Sequence, residues 1–108
     1  MLTFPAGVKL FLATSAVDLR KSFNGLTLLV EQEFGLQAMT GHLFIFLNRR
    51  GNQVRILFWD RDGFCIVAKK LEQGTFRRTK EGLDGDTHVE IEVADLALLL
   101  EGIEVKEV

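Results

Sequence analysis

The segment from Gly41 to Leu71 contains three runs of hydrophobic residues, each with the length of a β-strand, separated by two polar clusters. The clusters, Asn48–Asn52 and Asp60–Gly63, are rich in the Asn, Asp and Gly residues that favour tight turns. Hydrophobic runs bounded by such residues are typical of antiparallel strands joined by hairpins. The pattern therefore predicts a three-stranded meander, with strands at residues 42–48, 53–60 and 64–71.

Strands on either side of this meander complete the predicted sheet. Residues 8–13 form a short strand candidate, with Val8, Leu10 and Leu12 on one side and Lys9 and Phe11 on the other. Residues 88–93 alternate between hydrophobic and polar side chains, as half-buried strands do. The strand at 42–48 is hydrophobic on both of its faces, which is typical of a strand that is covered on both sides. The cover is either helices of the same chain or a second copy, so a homodimer through this strand is one of two alternatives.

Two helices are predicted. Between positions 19 and 30, hydrophobic residues recur at spacings of four, three and four, which indicates one face of a helix from Asp18 to Phe34. Gly35 ends this helix, and residues 94–101 predict a shorter one that ends at Gly102. The predicted fold class is α+β, as a single domain over residues 1–108. Its curved antiparallel sheet, made of the central meander with an N-terminal and a C-terminal strand, packs on one longer helix and a short C-terminal helix.

The composition limits the class of protein. A chain of 108 residues has the length of one domain, and its 47% hydrophobic and 26% charged residues are ordinary for a globular protein. The single cysteine, Cys65, excludes an intramolecular disulfide and fits a reducing compartment. No hydrophobic run has the ~18 residues of a membrane span, and the N-terminus lacks the pattern of a signal peptide. The sequence thus predicts a cytoplasmic protein.

Charge is distributed unevenly along the chain, although the net charge is only −2. Residues 1–48 carry three bases and three acids, residues 49–80 carry nine bases and three acids, and residues 81–108 carry nine acids and one base. Such segregation indicates an interaction surface. Either the basic part contacts an anionic polymer or an acidic partner, or the acidic C-terminal part folds back and neutralises it.

The sequence contains no recognisable constellation of catalytic or metal-ligating residues. His42 and His88 are far apart in the chain, and Cys65 lies within a hydrophobic strand. The segment Asp60–Gly63 matches only the start of a calcium-binding loop, and its composition favours a hairpin turn. We therefore expect no metal, no cofactor and no enzymatic activity.

Basic residues of the two turns and their strands form a candidate nucleic-acid-binding set, because arginine and lysine neutralise phosphates. Arg20 and Lys21 join the set because the predicted helix places them in its first turn, where free amides also bind anions. The alternatives are a solvated rim that keeps the sheet edges soluble and, at Arg20 and Lys21, compensation by the nearby Asp18. The set comprises Arg20, Lys21, Arg49, Arg50, Arg55, Arg61, Lys69, Lys70, Arg77 and Arg78.

A second candidate set would bind a protein partner. Glu90 and Glu92 are polar positions of the C-terminal strand, within the acidic part of the chain. Trp59 lies on the mixed surface of the strand at 53–60, where a residue of its bulk with alternating hydrophobic neighbours is more often part of the core. Both sets are hypotheses about an interaction surface.

Short motifs extend over nearly the whole chain. They are Pro5-x-Gly7-Val8, Asp18-Leu19-Arg20-Lys21-x-Phe23-x-Gly25-Leu26, Gly41-His42-Leu43-Phe44-x-Phe46, Asn48-Arg49-Arg50, Ile56-Leu57-x-Trp59-Asp60, Gly63-Phe64, Lys69-Lys70-Leu71-Glu72-x-Gly74-x-Phe76 and Leu96-x-Leu98-Leu99-Leu100-Glu101-Gly102-Ile103. In their order and spacing the chain resembles the TnpB-type accessory protein, the product of the second reading frame, of the IS66 family of bacterial insertion sequences. It departs from that pattern after Phe76, where the family has a Trp-Pro pair and this chain has Arg77-Arg78-Thr79.

The resemblance implies a non-catalytic accessory role in the transposition of a bacterial insertion sequence, with strand transfer performed by a separate, larger transposase. The implied partners are the transposase and other proteins of the same element. On one hypothesis the chain is an adaptor for the transposase and/or the element DNA. On the other it is a stand-alone nucleic-acid-binding protein that recognises the element ends through a basic hairpin surface. The acidic pI of about 5.7 favours the adaptor, and the clustered bases favour contact with DNA.

Overall fold

The structure is a computed structural model that describes residues 6–76 and 86–102. Its strands are β1 (Leu10–Ala13), β2 (Leu43–Leu47), β3 (Gln53–Asp60), β4 (Gly63–Lys70) and β5 (His88–Ile91). They form one sheet in the order β4-β3-β2-β1-β5. The five predicted strands are therefore present, and β3 has the predicted bounds.

A helix covers each face of this sheet. The helix α1 (Phe23–Leu28) continues as a π-helical segment, Leu29–Glu33, and packs on one face. The helix α2 (Val93–Glu101) packs on the other face. The predicted α+β class, with a longer and a shorter helical element on one sheet, is confirmed. In the described part of the chain, no helix combines the length and the hydrophobicity that crossing a membrane requires.

The sheet is mixed, so the prediction that it is antiparallel throughout is wrong for one pair of strands. β1 runs parallel to β2, with Leu10 opposite Leu43 and Leu12 opposite Ile45. The other neighbouring pairs are antiparallel. A parallel pair needs a crossover connection, and α1 with its π-helical extension supplies it. As a consequence, the segments that follow β1 and β2 leave the sheet at the same end.

The strand β2 lies at the centre of the core. Its five residues are all buried, with Leu43, Ile45 and Leu47 facing α2, and Phe44 and Phe46 facing α1. Complete burial of a large hydrophobic side chain contributes about 1.5–3 kcal/mol to stability, so this strand dominates the core. The predicted cover on both faces is confirmed, and the chain's own helices supply it. No surface of β2 is left for the homodimer contact that the sequence allowed.

The helix α1 begins five residues later than the sequence pattern predicts, at Phe23 rather than Asp18. The carboxylate Oδ1 of Asp18 accepts a hydrogen bond from the backbone N–H of Arg20 at 3.0 Å, and the Asp18 carbonyl accepts one from Lys21 at 3.1 Å. An Asp side chain that bonds the backbone two residues on forms a turn that competes with a helix. Leu19 is nevertheless buried, which explains why the hydrophobic period extends beyond the helix. Arg20 and Lys21 therefore precede the helix and do not lie in its first turn.

The helix α2 is capped at both ends. Glu92 and Asp95 form a capping box at its start, in which the Glu92 N–H donates to Asp95 Oδ2 at 2.8 Å. At its end Gly102 has φ +75°, and a Cβ atom there would lie 2.9 Å from Leu71 Cδ1. Glycine is needed at this position both for the backbone conformation and for the close approach.

Candidate functional site: an arginine-lined cleft

An open cleft of about 670 Å³ lies at the end of the sheet where β1 and β2 both terminate. One wall is formed by residues 16–20, within the segment of residues 14–22 that follows β1, and the other by residues 48–50 of the turn of residues 48–52 with the start of β3. Its lining includes the four arginines Arg20, Arg49, Arg50 and Arg55, together with Asp18, Asn48 and Gln53. We call this the arginine cleft. It exists because β1 and β2 are parallel, since an antiparallel pair would place the two segments at opposite ends of the sheet.

The wall formed by residues 14–22 is held by backbone contacts and by buried side chains. The Val17 N–H donates to the Leu47 carbonyl at 2.9 Å, which attaches the segment to the end of β2. Val17 and Leu19 are both buried in the core beneath α1. The Arg55 Nη1 group, which extends from β3, donates to the Leu19 carbonyl at 2.9 Å. Arg55 is therefore a half-buried crosslink between the two walls of the cleft.

The opposite wall is a turn organised by Asn48. Its Oδ1 accepts from the Gln53 N–H at 3.0 Å, and its Nδ2 donates to Asn52 Oδ1 at 2.8 Å. Gly51 has φ +74°, a conformation that favours glycine, and its carbonyl accepts from the Phe76 N–H at 2.7 Å. The turn is thus fixed from both sides, and the exposed side chains at positions 49 and 50 project from a rigid backbone.

The carboxylate of Asp18 forms an ion pair with Arg20 in the lining of the cleft. Arg20 Nε donates to Oδ1 at 3.0 Å and to Oδ2 at 3.1 Å, and Nη2 donates to Oδ2 at 2.8 Å. These bonds from the Arg20 side chain, together with the one from its backbone N–H, lower the pKa of Asp18 from 3.8 to about 2. The same side-chain hydrogen bonds raise the pKa of Arg20. Compensation by Asp18, one of the two alternatives that the sequence left open, is therefore present at Arg20.

Other basic residues of the predicted set lie near the cleft but outside it. Lys70 is opposite Gln53 in the β3–β4 ladder, on the same face of the sheet as Arg55. Lys69 is on the other face, where its Nζ donates to the Leu100 carbonyl near the end of α2 at 2.8 Å. Lys21 lines a second cleft of about 540 Å³ on the other side of segment 14–22.

The structure separates Arg61 from the rest of the set. Arg61 lies in the β3–β4 turn with φ +55°, at the end of the sheet opposite the arginine cleft. Arg77 and Arg78, which stand where the family has its Trp-Pro pair, are outside the described residues. Of the ten predicted residues, Arg20, Arg49, Arg50 and Arg55 line one cleft.

The three residues proposed for partner binding have different surroundings. Glu90 is exposed on the edge strand β5. Glu92 caps α2, so a charge reversal there disturbs the helix as well as the surface. Trp59 is half-buried and makes an edge-to-face contact with Phe64, with ring centroids 5.0 Å apart. The structure does not bring these residues together with the arginine cleft.

The sequence did not lead us to predict that Asn48 and Gln53 line the cleft. It also did not predict the hydrogen bond from Lys69 to α2. An Asn at the head of a glycine-containing turn was a usable signal for Asn48, because its side chain bonds nearby backbone groups. The partner of Lys69 depends on the tertiary fold, and no local signal predicts it.

Within residues 6–76 and 86–102, no three metal-ligating side chains lie together.

The fold and the cleft define a small α+β protein with a basic surface site. The family of IS66 Orf2-like proteins, TnpB_IS66, matches residues 8–108, and the chain belongs to this family. This confirms the resemblance drawn from the sequence motifs. Membership implies an accessory role in the transposition of an insertion sequence.

Two curated relatives come from Sinorhizobium fredii. The uncharacterized protein y4hO is 32% identical over 104 residues, which cover 96% of this chain and 88% of the relative. The uncharacterized protein y4jC is 34% identical over 70 residues, which cover 65% of this chain and 60% of the relative. No solved structure matches the chain significantly.

Proposed function

We propose that the protein is a non-catalytic adaptor in the transposition complex of its element, and that it contacts the DNA phosphates with the arginine cleft while it associates with the transposase. Strand transfer belongs to the transposase in this proposal. The observation that carries it is the convergence of Arg20, Arg49, Arg50 and Arg55 on one cleft from separate parts of the chain.

The chemistry of the cleft supports a phosphate ligand. Guanidinium groups match the geometry of phosphate oxygens and bind them through paired hydrogen bonds. The backbone of the turn under Arg49 and Arg50 is already held by hydrogen bonds, so little further ordering of the turn is needed when these side chains contact a ligand. Asn48 and Gln53 add polar groups beside them. Contacts of this kind position a protein on nucleic acid without reading its sequence.

The position of the charges supports an adaptor. The proposed partner-binding residue Glu90 is exposed on β5, away from the lining of the cleft, so DNA and a protein partner would use different surfaces. An overall pI of about 5.7 is also low for a protein that binds DNA through its whole surface. A local basic cleft on an acidic chain is better suited to a component of a larger complex.

The test replaces two cleft arginines in the full-length protein, as Arg49→Glu together with Arg50→Glu. We expect binding to a duplex that carries an element end, measured with the transposase present, to weaken by about tenfold or more, because two phosphate contacts become repulsive. The slope of log affinity against log salt concentration should decrease by about 2. Co-purification with the transposase in the absence of DNA should be retained.

The matched control is Arg61→Glu, since Arg61 is also a turn arginine but lies at the opposite end of the sheet. It should leave DNA binding close to that of the wild type. Equal loss in the control and in the double variant would contradict a local site. Salt-sensitive binding by the protein alone, without any association with the transposase, would favour the stand-alone nucleic-acid-binding protein instead of the adaptor.

A further inference from the structure

We propose that Asp18 sets the anion affinity of the arginine cleft, because it holds Arg20 in an internal ion pair that a phosphate group must replace. This inference rests on the proposed contact between the cleft and DNA, and it names the residue that regulates that contact. Among the described residues that line the cleft, Asp18 is the one that carries a negative charge.

The bonding of Arg20 shows what a phosphate would have to displace. The carboxylate occupies the edge of the guanidinium that presents Nε and Nη2, with donor–acceptor distances of 2.8 to 3.1 Å. This is the edge that binds two oxygens of a phosphate in a paired arrangement. The Arg20 side chain is 91% exposed, so an external anion can reach it. Carboxylate and phosphate therefore compete for the same donors.

The effect of this competition on DNA affinity can be measured, because the arginines of the cleft differ in whether a carboxylate already pairs with them. Arg49 and Arg50 are exposed, and no ion pair with a carboxylate involves either of them among the described residues. Arg20, in contrast, is already neutralised by Asp18. The protein releases about 0.9 condensed counterion from the DNA for each phosphate that it neutralises. Affinity for DNA rises with the number of counterions released. While Arg20 stays paired with Asp18 it neutralises no phosphate, and it then adds nothing to this release.

The substitution that separates charge from structure is Asp18→Asn. Asparagine retains the Oδ1 acceptor for the Arg20 N–H, so the turn of residues 18–21 keeps its side-chain hydrogen bond. The negative charge is lost, and Arg20 becomes available to a phosphate. We expect the variant to bind an end duplex about two- to five-fold more tightly than the wild type, the range that one exposed ion pair provides. Its salt slope should steepen by about 1.

Three further variants complete the experiment. Asp62→Asn makes the same charge change in the β3–β4 turn at the opposite end of the sheet, and it should leave the affinity unchanged. Arg20→Ala alone should weaken binding only slightly. Arg20→Ala combined with Asp18→Asn should remove the whole gain of Asp18→Asn, because both act through the same guanidinium. Fluorescence anisotropy with the duplex and with the transposase present, between about 50 and 200 mM salt, measures all of these forms.

Equal or weaker binding of Asp18→Asn would overturn the proposal and would make Asp18 a residue that positions Arg20. If no form binds the duplex, the proposed function fails first. A titration with pyrophosphate, followed through the NMR signals of the arginine Nε–H groups, then decides the inference separately. Tighter pyrophosphate binding by Asp18→Asn, with a shift of the Arg20 signal, supports it. Equal affinities, or no binding by either form, overturn it.

Discussion

Asp18 connects local backbone structure with the electrostatics of the cleft. Its carboxylate closes the turn through the Arg20 N–H and pairs with the Arg20 guanidinium. From the sequence alone, compensation of Arg20 by a neighbouring acid could be foreseen, because the two residues are only two positions apart. The turn itself could not, because Leu19 and Phe23 fit the period of a helix whether or not the chain is helical between them.

The pKa of Asp18 is the first prediction at this scale. It is lowered from 3.8 to about 2 in the folded protein, so folding favours the charged carboxylate. The contribution of the ion pair to stability is therefore fully present above pH 3.8 and is lost as the pH falls through about 2. A pH titration of the ¹³C carboxyl signal measures the value directly. In Arg20→Gln the pKa of Asp18 should return towards 3.8. An unchanged value in that variant would contradict the assignment of the shift to Arg20.

At the scale of elements, the ends of the helices were the least predictable features. The sequence placed α2 within one residue of its observed start, since Val93 rather than Ala94 begins it. It placed the start of α1 at Asp18, because hydrophobic period alone does not distinguish a helix from a turn with buried side chains. The end of that helical element was foreseen correctly, since Gly35 has φ +69°.

Lys69 provides a prediction for α2. Its Nζ donates to the Leu100 carbonyl, where the helix leaves backbone carbonyls unpaired and its dipole attracts a cation. We expect Lys69→Ala to lower the free energy of unfolding by about 1 kcal/mol. Urea denaturation measures this change.

The control for this prediction is Lys70→Ala, which makes the same change at the next position of the same exposed strand, on the other face. Its effect should stay within about 0.5 kcal/mol. A loss of equal size in both variants would show that strand propensity, and not the bond to α2, accounts for the effect.

At the scale of the whole molecule, the hydrophobic pattern was sufficient for the strands, the class and the cover on both faces of β2, but not for the direction of β1. Short alternating strands carry no signal for parallel or antiparallel pairing, because period 2 is common to both. The pairing of β1 with β2 depends on how the crossover through α1 packs, which is a tertiary property. For this reason the basic residues could be identified from the sequence, whereas their convergence on one cleft could not.

The layered burial predicts how amide hydrogens exchange across the sheet. β2 is paired on both sides and buried on both faces, so its amides should exchange only through global unfolding. β4 is an edge strand, and its residues Val67–Lys70 are exposed, so these amides should exchange through smaller local openings. Exchange measured residue by residue by NMR tests this order. Equal protection of β4 and β2 would contradict it.

The parallel pairing of β1 and β2 also determines when the protein acquires its cleft during synthesis. The hydrogen bond from Arg55 to the Leu19 carbonyl joins residues 36 positions apart, and both walls depend on β2 lying between them. A nascent chain that ends within α1 already contains Arg20 but has only one wall. The anion binding that we propose for this site therefore requires β1, β2 and β3 together, and we expect no fragment from either side of β2 to show it.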